Sequence, residues 1–532
     1  MTSFRSGSRS RRAASHIAVR GAYGLVGGLV VVGWLVLPLT GRGDDDHDRV
    51  TVSRGTEALA SEAAPSEDGT GSGDLVLPVA AVGAAGALTA YTYTRRRRRA
   101  RTRTTPGGAA QGLVPLTELD RRAQRSLVGT DDCVRTSAEE LGFVTGLFGE
   151  EETEPYTRAL ATARSELAAA FRLRRRRDDT ADTDEARRLL EETVTRCTEA
   201  GLQLDAAAAG FDQLRALERN TPTALAYAET RFRELAARTP AAESTLGELR
   251  ERFAPSASLA VAGNVEQAKD RLLFATTRLN RSRQSLDRGD RSDRSDGAVD
   301  AVDAGTVDRA VADLRAAEGA IAQAAVLVHG VERLADELAA AAQRLPAALA
   351  ALETGVTEAH ARLDGTAAGP PELSGRVVHA ESVLTDVRNA LSALGAHDPL
   401  DALRRVAGAG SGLADGLLDH ALLPAASSTA IAADFVATHR GAVGWEARAR
   451  LAEAERHLAH DHADAPAAET LAQRARVLAE RDVRAYGHPL SEGGGAGGAV
   501  LGGVLLPDGG PASFGGPRTR ARRALPPDEP AP

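Results

Sequence analysis

Between Val307 and Leu338, apolar or small residues recur at alternating intervals of three and four: Val307, Ala310, Leu314, Ala317, Ile321, Ala324, Val328, Val331, Ala335 and Leu338. Only a helix gathers such positions into one stripe, and a stripe this long has to be covered by another helix. Alternation of alanine with larger aliphatics suits close, antiparallel packing. A second seam, Val265, Ala268, Leu272, Ala275 and Leu279, follows a capping signal of Asn264 with Gln267 three residues on. Aromatic residues make up only 3% of the 532-residue chain, too few for sheet-based cores, which lean on aromatic and β-branched side chains. Alanine, leucine, arginine and glutamate, the favoured residues here, are strong helix formers. The expected class is therefore all-α, with a helical-hairpin or coiled-coil body over residues 115–486. Turns are predicted at Glu154-Pro155, Thr221-Pro222, Ala254-Pro255, residues 289–297, Gly369-Pro370-Pro371 and Asp398-Pro399, because the residue before proline is pushed out of helical geometry. Helices of about 20–40 residues between such turns suit antiparallel hairpins.

Ahead of that body lie two uncharged stretches, Gly21–Leu39 and Leu75–Tyr93. At about 1.5 Å per residue each nearly crosses a hydrocarbon core of roughly 30 Å, so two transmembrane helices are expected. The first has the layout of a cleavable signal peptide, but Thr40-Gly41-Arg42-Gly43-Asp44 suits cleavage poorly, and retention as an anchor is the favoured reading. Residues 1–20 are basic, and the second stretch runs into Arg95, Arg96, Arg97, Arg98, Arg99, Arg101 and Arg103 within a linker at 94–114. Arginine flanks stay in the cytoplasm, which puts the acidic loop 40–74 outside and the helical body inside the cell membrane. That loop, with Asp44-Asp45-Asp46-His47-Asp48, is too polar to fold unaided. At the far end, residues 487–532 are rich in glycine and proline and are expected to be a flexible, disordered tail. The tail's short apolar piece, Ala499–Leu506, cannot span a bilayer but is a candidate for docking on the body or a membrane surface.

The chemistry-bearing residues form no recognisable catalytic constellation. A formal net charge of −8 argues against nucleic-acid binding, whereas the Arg95–Arg103 run would attract anionic lipid headgroups. Lys269, the only lysine, lies inside the second seam, so no phosphate-binding loop with a lysine is present. His457, His460 and His462 are imidazoles at a spacing too weak to define a metal site. Arg172 and Arg174–Arg177 read as cations at a helix C-terminus, with phosphate or lipid binding as the lesser alternative. Ser137 with Glu140 reads as a capping box, and Asp131 and Asp132 lack a recognisable acid–base partner. Cys133 and Cys197 read as small buried hydrophobes. No catalytic residue, metal or cofactor is expected.

Five segments stand out: TRTTPGG at Thr102–Gly108, LTELDRRAQRSLVGTDDCVRTSAEELGFVTGLFGEE at Leu116–Glu151, LRALERNTP at Leu214–Pro222, ERFAPSA at Glu251–Ala257 and ADFVATHRGAVGWEARARLAEAERHL at Ala433–Leu458. Together they resemble the cytoplasmic region of the TPM-domain membrane proteins of high-GC Gram-positive bacteria. The tail's SFGG with PRTRARR resembles that family's glycine-rich end. The resemblance implies the order membrane segment, extracytoplasmic TPM domain, second membrane segment, helical region and tail. Here only Thr40–Asp74 stands where a domain of ~100–150 residues belongs. Phosphatase-like activity and its site residues therefore do not carry over. The expected function is a non-enzymatic, membrane-tethered helical scaffold or interaction module, binding an unidentified protein or a second copy of itself. The rival readings are a truncated TPM-type phosphatase-related envelope protein and an envelope sensor.

Overall fold

The computed structural model describes residues 114–292, 300–364, 371–393, 396–459, 464–486, 496–506 and 510–524. The two apolar stretches, the loop between them and Arg95–Arg103 lie outside the described residues. Four long helices come first: α1 (Leu116–Phe148), α2 (Glu150–Asp179), α3 (Thr183–Arg215) and α4 (Leu217–Arg252). After the single turn α5 (Pro255–Ser258) come α6 (Asn264–Ser292) and α7 (Asp300–Asp364). Then follow α8 (Pro371–Ser392), α9 (Pro399–Ala409), α10 (Leu418–Thr438), α11 (Trp445–Leu458) and α12 (Ala465–Tyr486). Two short helices, α13 (Ala496–Leu501) and α14 (Pro517–Ala524), close the chain. Among the described residues there is no strand, only an isolated bridge between Leu505 and Pro511. The class is all-α.

Both predicted seams are buried. Leu314, Val328, Val331 and Leu338 are fully inaccessible and Ile321 nearly so, as are Val265, Ala268 and Ala275 on α6, while Val307 and Ala335 are half-buried. The helices run antiparallel. Asn264 Nδ2 donates to the Leu327 carbonyl at 3.2 Å, Arg271 Nε to Gln323 Oε1 at 3.1 Å, and Ser282 Oγ to the Ala310 carbonyl at 2.9 Å, so partners descend α7 as they climb α6. Asn264 thus spends its amide on the neighbouring helix. Burial extends beyond the two seams, however. Ala316, Ala320, Leu327 and Leu334, off the seam, are equally buried, because α7 also packs against α1, α4, α8, α9 and α10. At 65 residues it is the central helix of a bundle, longer than the expected 20–40.

Two prolines predicted to break helices do not. Pro155 lies inside α2 and Pro222 inside α4. The real breaks come earlier, at Gly149 (φ 91°) and Ala216 (φ 39°), both left-handed. Each proline is the sixth residue of its helix and forgoes one i→i−4 hydrogen bond without ending the helix. By contrast Pro255 and Pro399 do start helices, and Asp398 caps α9 through the Asp401 N–H.

Within the described residues one segment, Asp419–Thr438 of α10, is long and apolar enough to cross a membrane, with mean hydropathy 1.3. Its polar groups bind inside the bundle. Asp434 pairs with Arg333 at 2.6 Å, Ser427 with Glu337 at 2.6 Å and Ser428 with Glu469 at 2.7 Å. It reads as a core helix.

The expected disordered tail also needs correcting. Residues 496–506 and 510–524 pack on the helical body: Val504 and Phe514 are buried, and Gly441 N–H donates to the Leu501 carbonyl at 2.8 Å. Sparse apolar anchors suffice because glycine lets the backbone approach. Gly515 holds φ 128°, and a side chain on Gly516 would collide with the Gly201 carbonyl of α3.

Candidate ion-pair core and arginine-lined cleft

The tail docks where α1, α3 and α7 meet. Phe514 stacks on Phe211 of α3, ring centroids 4.1 Å apart, and meets Tyr156 of α2 edge-on. Its N–H donates to Glu140, and the next N–H, of Gly515, donates to Ser137 Oγ at 3.2 Å. Ser137 and Glu140 therefore sit mid-helix as the receptor for the tail and form no capping box. Asp205 accepts from the Thr519 N–H at 2.9 Å, at the start of α14, and Arg523 reaches Asp212 and the Phe514 carbonyl. The tail is held by its backbone as much as by its side chains.

Under it lies an ion-pair core. Arg215 of α3 bridges Glu140 of α1 and Glu318 of α7, and Arg315 Nε lies 3.3 Å from Glu140. Burial pushes the Glu140 carboxyl up. The Arg215 and Arg315 guanidiniums and the Phe514 N–H outweigh it and hold the group below the usual carboxylate range. Glu318 depends more on the shared Arg215; burial and the neighbouring Glu140 leave its carboxyl raised.

A second knot joins α1 to the loop between α10 and α11. Arg440, fully buried, grips Glu139 with both terminal nitrogens, at 2.5 and 2.8 Å. Arg448 binds Asp131 and Asp132 while donating to the Val443 and Arg440 carbonyls. Asp131 also takes Arg135 at 2.9 Å. Burial raises its carboxyl, but the two arginines prevail and hold it low. The partners that Asp131 and Asp132 seemed to lack lie more than 300 residues away in sequence.

Beside this knot opens a cleft of about 850 Å³ walled by α1, α2 and α11, with seven arginines and four carboxylates on its lining. The α2 wall is one helical face, Arg164, Leu167, Ala168, Phe171, Arg172, Arg175 and Arg176, at spacings of three and four. Part of the basic run singled out in the sequence thus faces the cleft, while Arg174 is buried 4.0 Å over the Trp445 ring and pairs with Asp178. The run does more than end a helix. The Arg164 side chain lies low in its usual range through burial, aided by Arg135.

Sequence reasoning missed a further small cavity where α6, α7 and α10 meet, lined by Asn264, Asp434 and His439. Burial, reinforced by Arg271 and Arg476, drops the His439 imidazole from 6.5 to about 4, and the ring stacks on Phe435. Cys133 and Cys197 are buried and free, their thiols pushed up to about 11 and about 12 by burial. His457 ends α11, 4.0 Å from Asp464; His460 and His462 lie outside the described residues. Among the described residues no group of three or more His, Cys, Asp or Glu is disposed to hold a metal.

The chain is similar to UPF0603 protein Rv2345 of Mycobacterium tuberculosis (strain ATCC 25618 / H37Rv). The two are 33% identical over 452 residues, covering 76% of this chain and 66% of the relative. UPF0603 protein MT2410 of Mycobacterium tuberculosis (strain CDC 1551 / Oshkosh) matches with the same figures. The chain spans just under two thirds of the length of these curated relatives. No protein-family model matches it, so a TPM domain finds no support there. No solved structure matches it either.

Proposed function

We propose that this protein is a non-enzymatic helical interaction module. Gly21–Leu39 and Leu75–Tyr93 tether it to the cell membrane, and the arginines from Arg95 to Arg103 bear on anionic headgroups at its inner face. The observation that carries this reading is where the ionisable groups are spent. Asp131, Glu139, Glu140 and Glu318 are consumed in pairs that join helices distant in sequence. Carboxylates committed to arginines of distant helices stabilise an assembly; a general acid or base needs to be free to exchange its proton with a substrate. A body closed by its own tail offers an extended helical surface for a protein partner or for a second copy of itself.

Kinship with the TPM-domain proteins is part of the same proposal. The alignment leaves about a third of the length of the mycobacterial relatives unmatched, which is room for a domain of that kind in them. The purified full chain should show no turnover on phosphomonoesters, phosphodiesters or nucleotides. Crosslinking in cells should capture a defined protein or a dimer through the helical body. Saturable phosphatase turnover abolished by a point substitution would overturn the non-enzymatic reading and favour the TPM-type alternative.

A further inference from the structure

We propose that the cleft between α1, α2 and α11 binds a single-chain anionic amphiphile. Its head sits on Arg172, Arg175 and Arg176, and its chain lies along Phe171, Leu167 and Ala452. This goes beyond the interaction-module reading and does not depend on it.

Three observations converge. The first is charge. In a chain of formal charge −8 the cleft gathers seven arginines against four carboxylates. With the pairs of Asp131 to Arg135 and Arg448, and of Glu139 to Arg440, set aside, five lining arginines remain against two carboxylates, Glu453 and Glu455. Arg172 has no ion-pair partner within 4.0 Å among the described residues. Arg175 has only Asp179 and Glu453, both at 3.9 Å, and Arg176 only Glu185 at 3.9 Å. The second is the floor. Leu167 and Phe171 are buried and Ala452 half-buried, so an apolar track leads away from the arginines along the same face of α2. From Arg176 back to Arg164 that face is about 18 Å long at ~1.5 Å per residue, the proportions of an extended acyl chain. The third is size. At about 850 Å³ the cleft falls within the range of ligand pockets, which are mostly apolar with a few polar groups that fix orientation. Guanidiniums bind carboxylate or phosphate oxygens through paired N–H donors, so the head is one of these two anions.

The test uses the purified full chain in zwitterionic lipid vesicles and a long-chain fatty acid bearing a diazirine near its methyl end. Illumination and peptide mapping should place adducts within 164–176 and 448–456. The methyl ester of the same probe, lacking the negative head, should label these peptides about tenfold less, as expected for losing one charge-assisted contact. Arg172→Glu with Arg176→Glu should lower labelling by a similar factor, and Ala452→Phe should lower it by filling the track. Circular dichroism verifies the fold of each variant, and the ester comparison needs no variant. Unlabelled alkyl phosphate and alkyl carboxylate should both compete, and the stronger competitor identifies lipid phosphate or free fatty acid as the source. Labelling unaffected by esterification, labelling confined to other peptides, or displacement by inorganic phosphate alone as effective as by the alkyl anions would each overturn the proposal.

Discussion

Glu140 ties together three segments distant in sequence, through Arg215 on α3, Arg315 on α7 and the Phe514 N–H of the tail. Glu140→Gln leaves the buried Arg215 and the half-buried Arg315 each short of a counter-charge, a loss of about 3–5 kcal/mol for a broken buried pair. Denaturant unfolding of the full chain should register it as a lower midpoint at unchanged slope. His439 makes a separate prediction about pH. Its folded value, about 4, lies below the ordinary 6.5, so between those limits the unfolded chain binds the extra proton. The stability it contributes is present above 6.5 and drains away as pH falls towards 4, by about 3 kcal/mol in all. Asp434 and Glu337, raised by burial, act in the opposite sense. The contribution is therefore read as the difference between the wild type and His439→Gln, which should shift against the wild type by about 3 kcal/mol as pH falls from 6.5 towards 4. A constant difference from pH 7 to 4 would contradict it. None of these ion pairs was legible in the sequence. Ser137 and Glu140 have the spacing of a capping box, and nothing local reveals that their partners arrive from residues 215, 315, 514 and 515.

The helices themselves were far more legible. A 3–4 alternation with no polar interruption has one physical meaning, and most positions of both seams are buried. The proline turns were less secure, since packing carries helices through proline: Pro155, Pro222, Pro240 and Pro346 all lie inside helices. Sequence could not show that α7 is enclosed on several sides, because its off-seam alanines are small enough to be read as surface. The cleft did leave a trace. Arg164, Leu167, Ala168, Phe171, Arg172 and Arg175 form a mixed arginine–apolar face at helical spacing, visible once the basic run is read as part of a stripe. Ile321→Asp and Val328→Asp place unpaired charge at positions with almost no exposure. Each should cost several kcal/mol, and together they should abolish the cooperative thermal transition followed by circular dichroism. An unchanged thermal midpoint would refute the central position of α7.

The described residues from α1 onwards behave as a body whose end returns to its beginning, since SFGG and the start of α14 close over α1 and α3. Composition alone argued for a loose tail, because glycine and proline carry little burial. Two buried anchors, Val504 and Phe514, and a row of backbone N–H groups with ready acceptors decided otherwise. Phe514→Ala should cost about 3–5 kcal/mol as a large-to-small change in a packed site, released mainly as detachment of the tail. The most direct check is hydrogen–deuterium exchange of the full chain, with and without that substitution. The fold described here predicts slow exchange both in the Ala310–Leu338 peptides and in those covering 513–520, with protection lost from the latter alone in Phe514→Ala. Exchange of the 513–520 amides at the rate of an unstructured peptide in the unsubstituted protein would contradict it.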